Sequence, residues 1–236
     1  MSLENYFKAF FIDLEASGRK TEQIPSQNIF VSGLAIPTNK KSIARQRRRK
    51  PQKGIKMNNV QTKNTQLAKM AMLVAVSIVL VAIIHLPILP MVPFLEYDPA
   101  DIPILIGTFA FGPVAGVLLT IVTAVLQGVT VSAQSGAYGI IMHIIATSAL
   151  VLVAGSIYSR EKTKKRAITA LILGTLAMVA VMIPANMLIT TRFMGLTLEA
   201  LMPFMPWIVL FNFIKAGVNS IVTFLVYKRI SPFLHR

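Results

Sequence analysis

The residues best placed for chemistry lie in the last apolar stretch, Pro206 to Tyr227. Asn212, Lys215 and Asn219 recur there at i, i+3 and i+7, so on a helix they share one face. The stretch is long enough to cross a bilayer, for which about 20 residues suffice. A lysine inside such a span costs about 3 kcal/mol on insertion scales. Lys215 is therefore expected to face protein, water or a ligand rather than lipid. A further amide, Asn186, stands near the end of the preceding apolar stretch in Pro184-Ala-Asn186, shortly before Thr190, Thr191 and Arg192. Polar groups of this kind, set among Phe, Met and Leu, can line a pocket for a flat or mostly apolar ligand with several hydrogen-bonding groups. The competing reading is that Asn212 and Lys215 only tie helices together, with Lys215 reaching a carbonyl or a carboxylate.

The elements that must position these groups are membrane helices. The chain of 236 residues is 54% apolar, with a mean hydropathy of +0.64, which excludes an ordinary soluble domain. There is no cysteine, so disulfide and thiol chemistry are excluded. Three scattered histidines and few carboxylates argue against a metal site. Basic charge is split in two: residues 1–56 hold 12 Lys/Arg against 4 Asp/Glu, and the rest of the chain 12 against 5.

Residues 1–65 read as a basic, disordered tail. Its run from Arg45 to Lys53 has a composition suited to nucleic acid or anionic lipid, but a solvated tail near the inner leaflet is the favoured reading, with no nucleic acid partner. The dense Arg/Lys/Gly run ending at Met57 also fits a translated leader, with Met57 as the start of the functional protein.

Six spans are expected within a membrane domain over 66–230. The first runs from Gln66 to Leu86 and carries the small-residue pair Ala71 and Ala75. A loop at 87–101 follows, with four prolines and three carboxylates, read as an ordered extracellular segment. Ile102–Phe111 and Val114–Val131 are separated by Gly112-Pro113, which marks two helices rather than one kinked helix. Ile140–Tyr158, Ala167–Ile189 and Pro206–Tyr227 complete the set, and 231–236 form a short cytosolic tail. His143, near the end of the fourth span, is expected to be packed and hydrogen-bonded. The basic loop 160–166 and the Lys228/Arg229 end belong in the cytosol and the acidic loop outside. Only an even number of spans satisfies this, with both termini inside.

No G-x-x-x-x-G-K-[ST], G-x-S-x-G or H-E-x-x-H occurs, and no intramembrane carboxylate pair is apparent. The sequence therefore offers no catalytic residues and no ATP site of its own. The missing inverted repeat also argues against a self-sufficient secondary transporter.

Three stretches carry a family resemblance: Phe94-Leu-Glu-Tyr-Asp98-Pro-Ala-Asp101-Ile-Pro103-Ile-Leu-Ile-Gly107-Thr-Phe-Ala-Phe-Gly112-Pro113-Val-Ala-Gly116, then Pro184-Ala-Asn186, then Phe211-Asn212-Phe-Ile-Lys215-Ala-Gly. They resemble the S components, the membrane-embedded substrate-binding subunits of energy-coupling factor (ECF) vitamin transporters, and more narrowly the riboflavin-specific branch. The resemblance implies an all-α fold of six transmembrane helices in the bacterial cytoplasmic membrane. It implies a vitamin site near the outer face, covered by the loop after the first helix. It implies that Asn186, Asn212 and Lys215 contact riboflavin as the transported ligand, with Thr190 a further candidate for its ribityl hydroxyls. Ala71 and Ala75 would pack on a transmembrane coupling subunit driven by two ABC-type ATPases, so ATP is used by the partners and no cofactor is bound. Release inward by toppling of the loaded subunit is also implied. Asn219, a turn further in, is assigned to helix packing. The alternatives are the same fold with another vitamin or a flavin nucleotide, for which Arg192 is the obvious cation, and a structural membrane protein without a ligand.

Overall fold

The structure, a computed structural model, describes residues 54–234, with side-chain surroundings for 63–229. The basic run 45–53 falls outside the described residues, and Met57 lies in the first turn of the first helix described. Residues from Gln66 onward form one compact unit.

Six helices organise it: α1 (Gly54–Ile83), α2 (Asp101–Phe111), α3 (Pro113–Val129), α4 (Gly136–Arg160), α5 (Lys164–Ala185) and α6 (Met205–Leu234). Four helical stretches, within 63–83, 133–160, 164–194 and 198–229, are long and apolar enough to cross a bilayer. α2 and α3 are shorter. At 1.5 Å per residue α2 is about 16 Å long, half the thickness of a hydrocarbon core.

The short α2 is the centre of the bundle. Every residue from Asp101 to Phe109 is buried, so it has no lipid-facing side. A helix that is apolar all round belongs in a core, and here α3, α4 and α6 surround it. Pro103 lies in its first turn, where a missing N–H costs nothing. At its far end Phe109 stacks on Tyr158 of α4 at 4.3 Å between ring centroids and meets Tyr227 of α6 edge-on at 5.4 Å. Thr108 turns its hydroxyl onto the carbonyl of Ile104. Gly116 and Gly155 let α3 and α4 approach it there, because a Cβ at either would fall within 3 Å of the Thr108 side chain.

Gly112 separates α2 from α3, and the Gly-Pro break does end one helix and start another. Its φ of 97° and ψ of 173° lie in a region open to glycine almost alone, and Pro113 then starts α3 with its φ already helical.

Between α1 and α2 the chain folds back as a two-stranded hairpin. β1 (Leu86–Pro87) and β2 (Glu96–Tyr97) pair antiparallel, with Leu86 opposite Tyr97 and Pro87 opposite Glu96. His85 Nε2 and Glu96 Oε2, 2.6 Å apart, close its base. Its tip buries Val92 against Leu201, Met205 and Ile208, with Leu89, Phe94 and Leu95 packed around them.

α5 does not stop where its apolar stretch ends. Pro184 removes a backbone donor and displaces a carbonyl, and the next five residues, Asn186–Thr190, form one wide, π-type turn before helix resumes at Thr191–Met194. α6 also runs beyond the expected Tyr227, to Leu234.

Since a Cβ at Gly112 would meet nothing within 4 Å, only backbone strain opposes a side chain there. Gly112→Ala is expected to destabilise the protein by about 1–3 kcal/mol, read as a lowered midpoint of thermal unfolding in detergent, whereas Ala substitution at the helical Gly217 should have little effect.

Candidate functional site

Lys215 meets a carboxylate. Its Nζ donates to Asp98 Oδ2 at 2.9 Å, and both side chains are nearly withdrawn from solvent, 11% and 6% exposed. Asp98 and Asp101 belong to the segment read as an ordered acidic loop. In the structure Asp101 is fully buried and Asp98 nearly so, packed between the hairpin and the helices, so these two carboxylates are interior groups. The physical reason is the charge on α6, which needs a partner wherever water is excluded.

Asn219 completes the arrangement. Its amide nitrogen donates to the Asp98 carbonyl at 3.2 Å and to Asp101 Oδ2 at 3.1 Å, and its oxygen accepts from the Tyr97 hydroxyl at 2.8 Å. One side chain of α6 thus holds both the end of the hairpin and the start of α2, a larger task than the helix packing assigned to it. Asp101 also accepts from Thr147 of α4 at 2.6 Å, and as the first residue of α2 it sits at the positive end of that helix dipole. The Asp98 carboxylate is further bonded by the Ala100 N–H at 3.2 Å and by Gln127 Nε2 at 3.3 Å.

Burial alone would raise the Asp98 carboxyl. The Lys215 ammonium outweighs it, aided by His143 and by the hydrogen bonds from Lys215 and the Ala100 N–H, and the carboxyl is pulled down to about 2. Burial, then the neighbouring carboxylates Asp98 and Asp101, raise the Tyr97 phenol, so it stays protonated and can donate to Asn219.

Beside this network lies a partly open cavity of about 110 Å³. The hairpin covers it with Phe94, Leu95 and Glu96, and α3, α4, α5 and α6 form its walls. Apolar walls come from Met142, Met178, Met182 and Phe211, and polar groups from Asn212, Lys215, Asp98, Gln127, Tyr138 and His143. An ammonium has three N–H groups. Lys215 gives one to Asp98 and still lines this space. Gln127 Oε1 and His143 Nε2 are buried without a hydrogen-bond partner among the described residues. The expectation of a hydrogen-bonded His143 therefore fails: its nearest acceptor, Asp101 Oδ1, is 3.6 Å away. An unsatisfied buried polar atom costs about 1–3 kcal/mol, so a ligand able to donate to one and pair with the other would recover that cost.

The expected site residues divide. Asn212 and Lys215 both line the cavity, Asn212 with its Nδ2 on the Ile208 carbonyl at 2.8 Å. Asn186 and Thr190 are fully buried in the π-type turn and bond to each other at 3.0 Å, with Asn186 Nδ2 on the Met182 carbonyl. Thr190 reaches the cavity wall only through Tyr138, whose hydroxyl shares a 2.9 Å hydrogen bond with it. Ala71 and Ala75 are exposed on α1, in a stripe that continues at fours through Leu67, Val79 and Ile83. Gln127, His143 and Asp98 had not been singled out as site residues. The signal available was that each is a polar residue inside or beside a segment otherwise apolar enough for membrane.

Fold and site together define a small multi-pass membrane protein with a ligand cavity at one end of its bundle. A family profile for the substrate-specific component of ECF transporters matches residues 65–227, and the chain belongs to that family. It is 32% identical over 151 residues to the riboflavin transporter RibU of Staphylococcus aureus (strain TCH60), an alignment covering 61% of this chain and 79% of the relative. It is 26% identical over 152 residues to the riboflavin transporter FmnP of Bacillus subtilis (strain 168), covering 61% and 80%. A solved structure of the S component of a bacterial ECF transporter superposes with a TM-score of 0.65 at 33% identity, over 74% of this chain and 99% of that one.

Removing one member of a buried ion pair leaves the other uncompensated, at about 3–5 kcal/mol. Lys215→Met and Asp98→Leu are each expected to lower the thermal midpoint of ligand-free protein in detergent, and the double variant to recover much of the loss. Additive losses would show that the pair is not coupled. The pH dependence has a definite sign. Asp98 is lowered on folding, so its contribution is fully present above the ordinary carboxylate range near 3.8 and is lost as pH falls towards 2. The stability gap between the protein and Asp98→Asn should be constant from pH 5 to 8 and should close only below about pH 4.

Proposed function

We propose that this chain is the riboflavin-binding subunit of an ATP-driven ECF uptake system, with riboflavin held in the cavity under the hairpin. The observation that carries the reading is the makeup of that cavity. Flat apolar walls are set against an edge of Asn212, Lys215, Gln127 and His143, two of which hold polar atoms with no partner of their own. Riboflavin matches this chemically. Its ring system is flat, with faces that suit Met and Phe walls, while its ring carbonyls and nitrogens accept from Lys215 or the Asn212 amide and its imide N–H donates to Gln127 Oε1, whose own amide N–H groups are engaged by Asp98 and Ser132. Asn186 and Thr190 act through Tyr138, which they hold against the cavity, so a direct contact with the vitamin requires the π-type turn to rearrange.

A flavin nucleotide is the weaker alternative. Its phosphate calls for a further cation, and Arg192 lines a separate surface groove with Pro184, Met187 and Leu188. The chain acts as a binding subunit and not as an enzyme. The cavity lies at the end of the bundle opposite the basic loop 160–166, so the positive-inside rule turns it outward and leaves both termini in the cytosol. The exposed pair Ala71 and Ala75 offers a small-residue patch of the kind on which another membrane helix packs closely. It is the proposed seat of the transmembrane coupling subunit, which two ABC-type ATPases drive.

Protein purified in detergent from flavin-containing cells should be yellow and should release riboflavin on denaturation. Riboflavin added to the stripped protein should quench emission from Trp207, which lies one turn before Phe211. Asn212→Ala should weaken that binding about tenfold, the loss of roughly one hydrogen bond. Colourless protein with unquenched Trp207 would overturn the reading. The coupling surface is tested separately: Ala71→Leu with Ala75→Leu should stop riboflavin uptake by cells while leaving binding in detergent unchanged, and normal uptake would exclude that face.

A further inference from the structure

The half of the α5–α6 seam away from the cavity has a different character. The helices run antiparallel there, since Met178 and Met182 share the cavity with Phe211 and Asn212 while Ile168 shares a groove with Phe224 and Leu225. The groove is walled by Ile168, Leu171 and Ile172 of α5 and by Phe213, Ile221 and Leu225 of α6, and its volume is about 460 Å³. Gly217 hollows it, because a Cβ at that position would meet nothing within 4 Å. The polar groups in it satisfy each other, with the hydroxyls of Thr175 and Ser220 3.3 Å apart, so the groove makes no polar demand on what fills it.

One end of this groove is cationic. Ile168 lies one turn after Lys164 and Lys165, and Leu225 lies one turn before Lys228. Antiparallel packing brings all three lysines to the same end. All three are exposed, and none forms an ion pair among the described residues. Arg166, by contrast, is already engaged with Glu161 at 2.9 Å. Along α5 the groove extends about 12 Å inward from Ile168 at 1.5 Å per residue. It is rimmed by large branched side chains, so it admits a chain and not a helix. A helix partner requires a small-residue face, and that lies on α1.

We infer that this groove binds an anionic phospholipid, with one acyl chain along α5 and α6 and the phosphate against Lys164, Lys165 and Lys228. Charge complementarity selects the headgroup, because three uncompensated ammonium groups at the membrane surface attract an anionic lipid over a zwitterionic one. Their aliphatic stems lie along the apolar rim while the ammonium groups stay at the headgroup level.

The test uses the full-length protein in detergent, titrated with dioleoylphosphatidylglycerol and separately with dioleoylphosphatidylcholine, bound lipid being counted by native mass spectrometry. One phosphatidylglycerol is expected to be retained about tenfold more tightly than phosphatidylcholine. Lys164→Gln with Lys165→Gln and Lys228→Gln should abolish that preference and leave phosphatidylcholine retention as it was. Gly217→Leu, which fills the groove, should reduce retention of both lipids. Equal retention of the two lipids by the unaltered protein overturns the inference, and that comparison stands even if a variant fails to fold. Unchanged phosphatidylglycerol retention in folded variants of both kinds also overturns it, as does a dimer mass that Gly217→Leu removes. Riboflavin release is not part of the readout, so the outcome is independent of the vitamin assignment.

Discussion

An ammonium inside a membrane-spanning bundle must be neutralised, and the pairing of Lys215 with Asp98 is how this protein does it. The partner comes from a loop 117 residues earlier in the chain, so the requirement becomes a long-range fold constraint. The loop is therefore fixed rather than free. It is drawn down onto α6, and its following residue Asp101 begins α2 in the interior. Asn219 reinforces this by bonding to Tyr97, Asp98 and Asp101 together. Such a pair contributes little net stability over apolar packing of the same volume. What it supplies is a single position for the hairpin and a charged edge to the cavity beneath it.

The burial of α2 follows from the same constraint. A helix of about 16 Å cannot cross a bilayer, so it must be enclosed by longer helices, and it is tied to α4 and α6 at both ends by opposite means. At its start the ties are polar, through Thr147 and Asn219. At its end they are aromatic, through Tyr158 and Tyr227. The polar end is the one beside the cavity. Around α2 the molecule is thus closed by rings at one end and opens into a cavity at the hairpin end, which is the asymmetry a binding subunit needs.

Much of this was legible in the sequence. The six segments, the break at Gly112-Pro113 and the exclusion of Lys215 from lipid follow from hydropathy, backbone chemistry and the cost of a buried charge, all of which are local. The reading of Lys215 left a carboxylate partner as the alternative to a ligand, and the structure shows the carboxylate, with Lys215 also lining the cavity. The partner's identity was not legible, because nothing local to Asp98 reveals a contact 117 positions away. Asn219 was undervalued for the same reason: its helical face was evident, but the three groups it bonds come from the hairpin and α2. The π-type turn that turns Asn186 onto Thr190 depends on where Pro184 falls relative to its tertiary neighbours, and no helical periodicity encodes that.

The hairpin is held at two places, and they are not equivalent. At its base, Tyr97 and Asp98 are fixed to α6 by hydrogen bonds and an ion pair, and pulling them away would expose a charge to a poorly solvated interior at about 3–5 kcal/mol. At its tip, Val92 rests among Leu201, Met205 and Ile208, and withdrawing one such side chain costs about 1.5–3 kcal/mol with no unpaired group left behind. Apolar contacts are non-directional and can re-form in many arrangements, whereas the base has one set of partners. A ligand entering beneath Phe94 and Leu95 therefore displaces contacts at the tip that can re-form without leaving a charge unpaired. The base can stay in place throughout, so Lys215 need not lose its counter-ion for the cavity to be filled.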